Sequence, residues 1–145
     1  MIKRTYPELP ILSAGAIIFR DTSVLLIKRG KEPAKGLWSV PGGIVQIGER
    51  ICDGLMREVR EEAGIAVVVQ NLVEIVERIF ADDGNRIKYH YVILDYLCEY
   101  TDGQIQAGSD ADDAVFVSLD AIGSYQLTAG LAEIIDKAYM MRNSI

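Results

Sequence analysis

The segment GIVQIGERICDGLMREVREEAGI, residues 43–65, joins a glycine-containing loop to a helical pattern. Its apolar side chains recur every fourth residue, which predicts a helix from about Glu49 to Ala63. Gly64 suits the position after the last helical turn, where the backbone turns left-handed. The apolar stripe consists of Ile51, Leu55, Val59 and Ala63. The segment therefore predicts one amphipathic helix that packs against a sheet.

Three glutamates of this helix, Glu58, Glu61 and Glu62, are spaced i, i+3 and i+4. A helix turns about 100° per residue, so they share an arc of about 100° beside the apolar stripe. Like charges four residues apart repel by about 0.2–0.5 kcal/mol, and Arg57, four residues before Glu61, offsets part of that repulsion. Two interpretations follow from this spacing: a solvated acidic face, or an oxygen-ligand site for Mg²⁺ or Mn²⁺.

Two glycines, Gly42 and Gly43, stand in the loop before the helix. A tight turn explains such a pair, and so does a loop whose backbone approaches a ligand closely. Glu49 follows near the predicted helix start, where a negative charge is favourable to the helix dipole. The loop therefore adds a candidate binding element next to the glutamates.

The rest of the chain alternates strand patterns with turn signals and ends in a second helix. Asp21 and Thr22 predict a hairpin between the first two strands, and 101–113 reads as a polar loop. Strands are predicted at 14–19, 23–29, near Trp38, at 65–80 with a break near Asn71, at 86–100 and at 114–119, and a helix is predicted at 130–143. This order predicts an α+β protein in which a mixed sheet lies between helices, an α-β-α sandwich.

Length and composition exclude several classes of protein. The chain has 145 residues, which suits a single domain over 1–145. Its net charge of −6 argues against a nucleic-acid-binding protein, which needs clustered basic residues. The two cysteines, Cys52 and Cys98, form no C-x-x-C motif, and His90 is far from Cys52 in sequence, so zinc is not expected.

The apolar run in the first twenty residues is too short to span a bilayer. It reads as a strand and not as a signal peptide, because Pro7, Glu8 and Pro10 stand between the early basic residues and the run. Two cysteines in a chain of this length fit a reducing compartment. We therefore expect a cytoplasmic protein with no membrane partner.

Residues 43–65 resemble the Nudix box, G-x5-E-x7-R-E-U-x-E-E-x-G-U, in which U is aliphatic. All nine fixed positions match: Gly43, Glu49, Arg57, Glu58, Val59, Glu61, Glu62, Gly64 and Ile65. The resemblance implies the Nudix fold, with a mixed sheet between helices. It also implies hydrolysis of a nucleoside diphosphate linked to another moiety, with Mg²⁺ or Mn²⁺ as the cofactor.

The resemblance also assigns roles to the matched residues. Glu58, Glu61 and Glu62 would be catalytic metal ligands, and the Gly43 carbonyl would be a further ligand. Glu49 and Arg57 would orient the glutamates. A glutamate such as Glu58 could act as the general base, although members of the family also take the base from a loop beyond the box.

That loop is identified with residues 108–117, which contain Asp110, Asp112 and Asp113. Sequences that resemble ADP-ribose pyrophosphatases often carry glutamate where Asp113 stands, just before a strand. We therefore predict a catalytic or metal-binding role for Asp113, although its side chain is one methylene shorter. A solvated acidic loop is the alternative.

Four residues outside the box are candidates for substrate binding. Arg29 ends an apolar strand and could contact a phosphate, or could be an ordinary surface charge. Phe80, Tyr89 and Tyr91 could stack on a base, whereas aromatic residues in strands more often belong to a core. These four assignments depend on where the fold places the side chains.

Residues 88–122 loosely resemble the second half of Nudix proteins labelled ADP-ribose pyrophosphatases. ADP-ribose, cleaved to AMP and ribose 5-phosphate, is therefore the leading substrate. The alternatives are a nucleoside triphosphate, in normal or oxidised form, another nucleoside diphosphate sugar, or nucleotide binding without hydrolysis in a regulator. The expected partner is a small nucleotide, and a homodimer is left open.

Overall fold

A seven-stranded mixed sheet forms the centre of the computed structural model, which describes residues 2–144. Its strands are β1 Ile11–Arg20, β2 Ser23–Arg29, β3 Trp38–Ser39, β4 Gly42–Ile44, β5 Ala66–Ala81, β6 Ile87–Asp102 and β7 Ala111–Ser118. Two α-helices accompany them within these residues: α1 Ile51–Ala63 and α2 Leu131–Asn143, with a 3₁₀ turn at Ile122–Ser124. No helix in the described range is long and apolar enough to cross a membrane.

The strand order explains why the sheet is mixed. The main path runs β3-β2-β1-β6-β5, while β4 pairs with β1 and β7 pairs with β2. Strands β1 and β6 are parallel, and the other pairs are antiparallel. The hairpin predicted at Asp21 is present, and Asp21 takes the positive φ of 54° that the turn needs. The predicted central strand is β6, which lies between β1 and β5.

The two helices cover opposite faces of the sheet, each through a buried apolar stripe. Helix α1 buries Leu55, Val59 and Ala63, all 0% exposed. Helix α2 buries Leu131, Ile135 and Ala138 in the other core cluster. Burying a large aliphatic side chain contributes about 1.5–3 kcal/mol, so these stripes fix both helices on the sheet. The predicted α-β-α sandwich is confirmed.

Several predicted boundaries were wrong. Strand β1 begins at Ile11 and not at residue 14, and Gly42 and Gly43 lie in strand β4 and not in a loop. The first helix begins at Ile51, two residues after the predicted start. Strand β5 is continuous, because Asn71 is accommodated by a shift of register next to Val69 and not by a break. Strand β7 begins at Ala111, so Asp113 lies in a strand, paired with Lys28, and not in a loop.

Candidate active site

A cavity of about 770 Å³ opens beside the sheet where β4 leads into α1. Its volume lies within the ordinary range of small-molecule sites, about 300–1,000 Å³. Its wall includes Gly42 and, from the box segment, Gly43, Arg57, Glu58, Glu61 and Glu62. The structure therefore gathers the predicted metal ligands around one concave site.

The two glycines of β4 allow a close approach that any side chain would prevent. A Cβ at Gly42 would collide with the carbonyl oxygen of Ala14 on β1, to which β4 is paired. A Cβ at Gly43 would collide with the carboxylate of Glu58. The glycines are therefore needed to bring the backbone of β4 against both the sheet and the acidic helix.

Arg57 holds the acidic residues around it in place. Its guanidinium donates to both carboxylate oxygens of Glu49, at 2.7 and 3.0 Å. It also donates to Glu58 at 2.9 Å and lies 3.3 Å from Glu61. The hydrogen bonds from Arg57 lower the pKa of Glu49 to about 2, and those with Glu49 in turn raise the pKa of Arg57. Arg57 thus partly neutralises three carboxylates that would otherwise repel one another.

Glu62 is the most enclosed of the three helix glutamates. Its side chain is 6% exposed and accepts a hydrogen bond of 2.8 Å from the Gly42 amide. Burial raises its pKa to about 7, and the charges of Glu58 and Asp110 act in the same direction. A carboxylate in such a place is stabilised in its ionised form by a nearby cation.

The half-buried carboxylate of Glu58 follows the same pattern. Burial raises its pKa, while the hydrogen bond from Arg57 works against this shift. Glu61 is more exposed, at 46% of its side chain. Glu62 is therefore enclosed, Glu58 is half-buried and Glu61 is exposed. Arg57 contacts both Glu58 and Glu61.

The donor set fits a hard divalent cation. Carboxylate oxygens and a backbone carbonyl are the ligands that Mg²⁺ and Mn²⁺ prefer. Within residues 2–144, however, no three histidine, cysteine, aspartate or glutamate side chains already converge as a metal-binding group. Glu58 and Glu61 are directed to Arg57, so their side chains must turn for both to share one cation with Glu62.

The acidic residues at the start of β7 are split between the cavity and the outer surface. Asp110 lines the cavity and forms a 2.8 Å salt bridge with Lys31. Asp113 is exposed, its carboxylate accepts a hydrogen bond from the Ala114 amide, and it does not belong to the cavity wall. The role predicted for Asp113 stays a prediction that the geometry does not favour, because Asp110 and not Asp113 lines the cavity with the glutamates.

Three of the four predicted substrate residues line the cavity. Arg29, Phe80 and Tyr91 are in its wall. Tyr89 is not, and its ring stacks on that of Tyr91, with centroids 6.4 Å apart and planes at 19°. Arg29 donates to the Pro33 carbonyl at 2.8 Å, which positions its guanidinium at the cavity.

The sequence analysis missed Asp95, which is buried in β6 and forms part of the same wall. A signal was present, since Asp95 is the only acid in the apolar run YVILDYLC, residues 91–98. A charge in the middle of a central strand needs a structural or functional reason. Its neighbour in the cavity wall, Arg78, was missed as well.

The protein therefore combines a mixed sheet between two helices with a cavity that a glutamate-rich helix lines. Such a cavity offers oxygen ligands to a cation. The sequence model of the NUDIX domain matches residues 9–138, so the chain belongs to this family. The suspected resemblance is thereby confirmed, as is the Nudix fold.

Relatives and solved structures agree with this membership. The chain is 31% identical to an ADP-ribose pyrophosphatase of Methanocaldococcus jannaschii over 77% of its own length and 63% of the relative's. It is 28% identical to the putative ADP-ribose pyrophosphatase YjhB of Bacillus subtilis, over 83% and 55% of the two chains. The crystal structure of a MutT NUDIX hydrolase from Burkholderia pseudomallei matches with a TM-score of 0.78 and 31% identity, covering 90% and 98%. The chain thus spans less than two thirds of the two curated relatives.

Proposed function

We propose that this protein hydrolyses the diphosphate bond of a nucleoside diphosphate linked to another moiety, and that ADP-ribose is the leading substrate. The observation that carries the proposal is the position of Glu58 and Glu62 against the β4 backbone, beside a cavity large enough for a nucleotide. The names of the two curated relatives support ADP-ribose.

The chain's own residues would divide the work as follows. Glu58, Glu61, Glu62 and the Gly43 carbonyl would hold Mg²⁺ or Mn²⁺, while Arg57 and Glu49 orient the glutamates. A divalent ion bound there supplies charge neutralisation for the diphosphate and acidifies bound water. Arg29, which also lines the cavity, binds phosphate oxygens, and Phe80 and Tyr91 contact the nucleoside. A carboxylate of the cluster, with Glu58 the preferred candidate, accepts the proton of the attacking water.

A substrate panel tests this proposal. The purified chain is incubated with ADP-ribose, other nucleoside diphosphate sugars and nucleoside triphosphates, with Mg²⁺ or Mn²⁺, and the products are identified by mass. The expected result is AMP and ribose 5-phosphate from ADP-ribose at the highest kcat/KM. A preference of tenfold or more for a triphosphate would replace ADP-ribose by the rival substrate class, and no cleavage of any member would leave a non-hydrolytic nucleotide-binding domain.

Three further expectations belong to this proposal. A single domain over 1–145 should give one cooperative unfolding transition in calorimetry. Light scattering distinguishes a monomer from a homodimer. Fractionation of cells that express the natural gene tests the cytoplasmic location.

A further inference from the structure

Asp95 is a buried carboxylate that faces the cavity from the sheet. It lies in β6, is 6% exposed, and is aligned with Gly15 of β1. Gly15 is in turn aligned with Gly42 of β4. A row across three strands therefore places Asp95 two strands away from the backbone that holds Glu62, at about 10 Å between the Cα atoms of the outer strands.

No group of the protein satisfies this carboxylate within residues 2–144. It forms no hydrogen bond or salt bridge, and burial raises its pKa to about 6. Arg78 lies nearby, but its guanidinium donates to the Ala129 carbonyl instead. Glu74, which is paired with Asp95 in the register of β5 and β6, is bound to Lys137.

The carboxylate oxygens keep access to the cavity. The described residues contain no fully enclosed side-chain oxygen or nitrogen that lacks a hydrogen-bond partner. Asp95 also forms part of the cavity wall, so its unsatisfied oxygens, which are not fully enclosed, are accessible from the cavity. An ionised carboxylate offers only acceptors, so the missing partner is a hydrogen-bond donor.

Glycine and apolar side chains surround Asp95. A Cβ at Gly15 would collide with Oδ1 of Asp95, so only glycine at position 15 leaves room for the carboxylate. The neighbouring wall is apolar and includes Val40, Val76 and Leu131. A base fits such walls through its apolar faces and offers donors at its edge, whereas sugar hydroxyls would need many polar partners.

We infer that Asp95 is a specificity-determining residue that accepts a hydrogen bond from the exocyclic amino group of the substrate's base. This inference rests on the proposed function in so far as the ligand is a nucleotide. Bases that present a carbonyl oxygen at this position are rejected, because two acceptors then face each other in a buried site. Phosphate is excluded by like charge.

Binding of nucleoside monophosphates tests the inference without requiring hydrolysis. AMP and CMP carry an exocyclic amino group, whereas IMP and UMP carry a carbonyl oxygen in its place. Titration calorimetry at neutral pH compares the four ligands on the wild type, on Asp95→Asn, and on Asp120→Asn as a control, in which an exposed aspartate is changed in the same way. The expected result is that AMP binds the wild type at least about tenfold more tightly than IMP.

Asp95→Asn should lower the ratio of AMP to IMP affinity at least about tenfold, because an amide can donate to a carbonyl oxygen. CMP and UMP should respond in the same direction, and Asp120→Asn should leave both ratios unchanged. Equal ratios in the wild type and Asp95→Asn overturn the inference, as does a failure of all four ligands to bind. A protein that cleaves no substrate of the panel can still lose its preference for AMP over IMP in Asp95→Asn. That result would retain the inference and reject the proposed enzymatic function.

Thermal unfolding without ligand provides a second readout. An aspartate that serves only the fold would lower Tm when changed to asparagine. A carboxylate buried without a donor costs free energy, so Asp95→Asn should keep or raise Tm. A clear fall in Tm with unchanged base discrimination would show that Asp95 has a structural role alone.

Discussion

Two regions of the molecule carry three acidic residues each at close spacing in sequence, but they differ in their position relative to the cavity. Glu58, Glu61 and Glu62 lie within five positions of α1, and Asp110, Asp112 and Asp113 lie within four positions at the start of β7. The first group is tied to Arg57 and to the Gly42 amide, at a cavity. In the second group only Asp110 reaches the cavity wall.

The difference lies in how each backbone is anchored. Helix α1 is fixed by its buried stripe and by the two glycines of β4, so its acidic arc faces one place. In β7 successive side chains point to opposite faces, and a shift of register at Lys28 and Arg29 displaces Asp112 from the pairing. Acidic residues that are close in sequence therefore share one face only when the period of their helix or strand places their side chains on the same side.

Removal of the metal should have the largest effect on hydrolysis. This effect depends on the glutamates of α1 and not on the aspartates of β7. We expect EDTA to abolish hydrolysis and Mg²⁺ or Mn²⁺ to restore it, because the helix glutamates are the proposed ligands of the ion. Zinc should substitute poorly, since the site has no cysteine or histidine ligand. Initial rates with each metal after chelation measure this effect, and full activity in EDTA would refute the metal site.

Substitution of Glu62 by Gln should lower kcat at least about 100-fold, because even residues that only orient metal ligands are typically worth about 10–100-fold. The change keeps the size of the side chain and its acceptor for the Gly42 amide, so the fold should survive. Steady-state kinetics and circular dichroism measure both quantities. Near-normal turnover in a folded variant would show that this carboxylate is not a metal ligand.

In the absence of metal, the pH dependence of stability should differ between the wild type and Glu62→Gln. The pKa of Glu62 rises from 4.5 to about 7 on folding, so the folded state holds more protons between these values. The stabilising contribution of protonation is therefore complete below about pH 4.5 and is lost as the pH rises through 7. At 1.36 kcal/mol per pKa unit, the free energy of unfolding of the wild type should fall by up to about 3 kcal/mol relative to Glu62→Gln over this range.

Urea unfolding of both metal-free proteins at several pH values measures this difference. The comparison with Glu62→Gln cancels the titration of groups that do not interact with Glu62, Asp95 included. Parallel pH profiles would mean that Glu62 titrates normally in the folded state.

Arg57→Lys should have a smaller effect, a loss of about 10–100-fold in kcat/KM. Lysine keeps the charge but loses the fork that binds both oxygens of Glu49 while reaching Glu58. Part of the loss should be recovered at higher metal concentration, because the ligands are present but less well oriented. A metal titration of activity measures the recovery, and unchanged kinetics would remove Arg57 from the site.

The smallest effect is expected at the acidic strand. Asp113→Asn should change kcat by less than about threefold, because the side chain is exposed and outside the cavity wall. Asp110→Asn is the matched comparison and should have the larger effect, since it removes a charge next to Glu62 and a partner of Lys31. A loss at Asp113 within the general-base range of about 10²–10⁴-fold would confirm the role that the resemblance assigns to it.

Local patterns predicted the parts of the molecule that depend on neighbours in sequence. The stripe from Ile51 to Ala63, the cap at Gly64 and the turn at Asp21 each required only short-range periodicity or turn chemistry. The nine-position match then indicated the family and the glutamates. None of this required knowledge of the sheet order.

The features that escaped prediction depend on contacts between distant residues. The burial of Glu62 depends on an amide twenty positions away, and the space around Asp95 depends on Gly15 of another strand. The start of β7 depends on its pairing with β2. Periodicity carries no information about such contacts.

The guanidinium of Arg57 has a consequence for how the protein meets its metal. Because a permanent internal cation already offsets part of the negative charge of the acidic helix, we expect the helix and both cores to form without a metal ion. The proposed ion would then be an exchangeable reagent and not a component of the fold, unlike the metal of a zinc finger. We therefore expect that the ion can be loaded and stripped repeatedly without unfolding the protein, and that hydrolysis follows the free concentration of divalent ions.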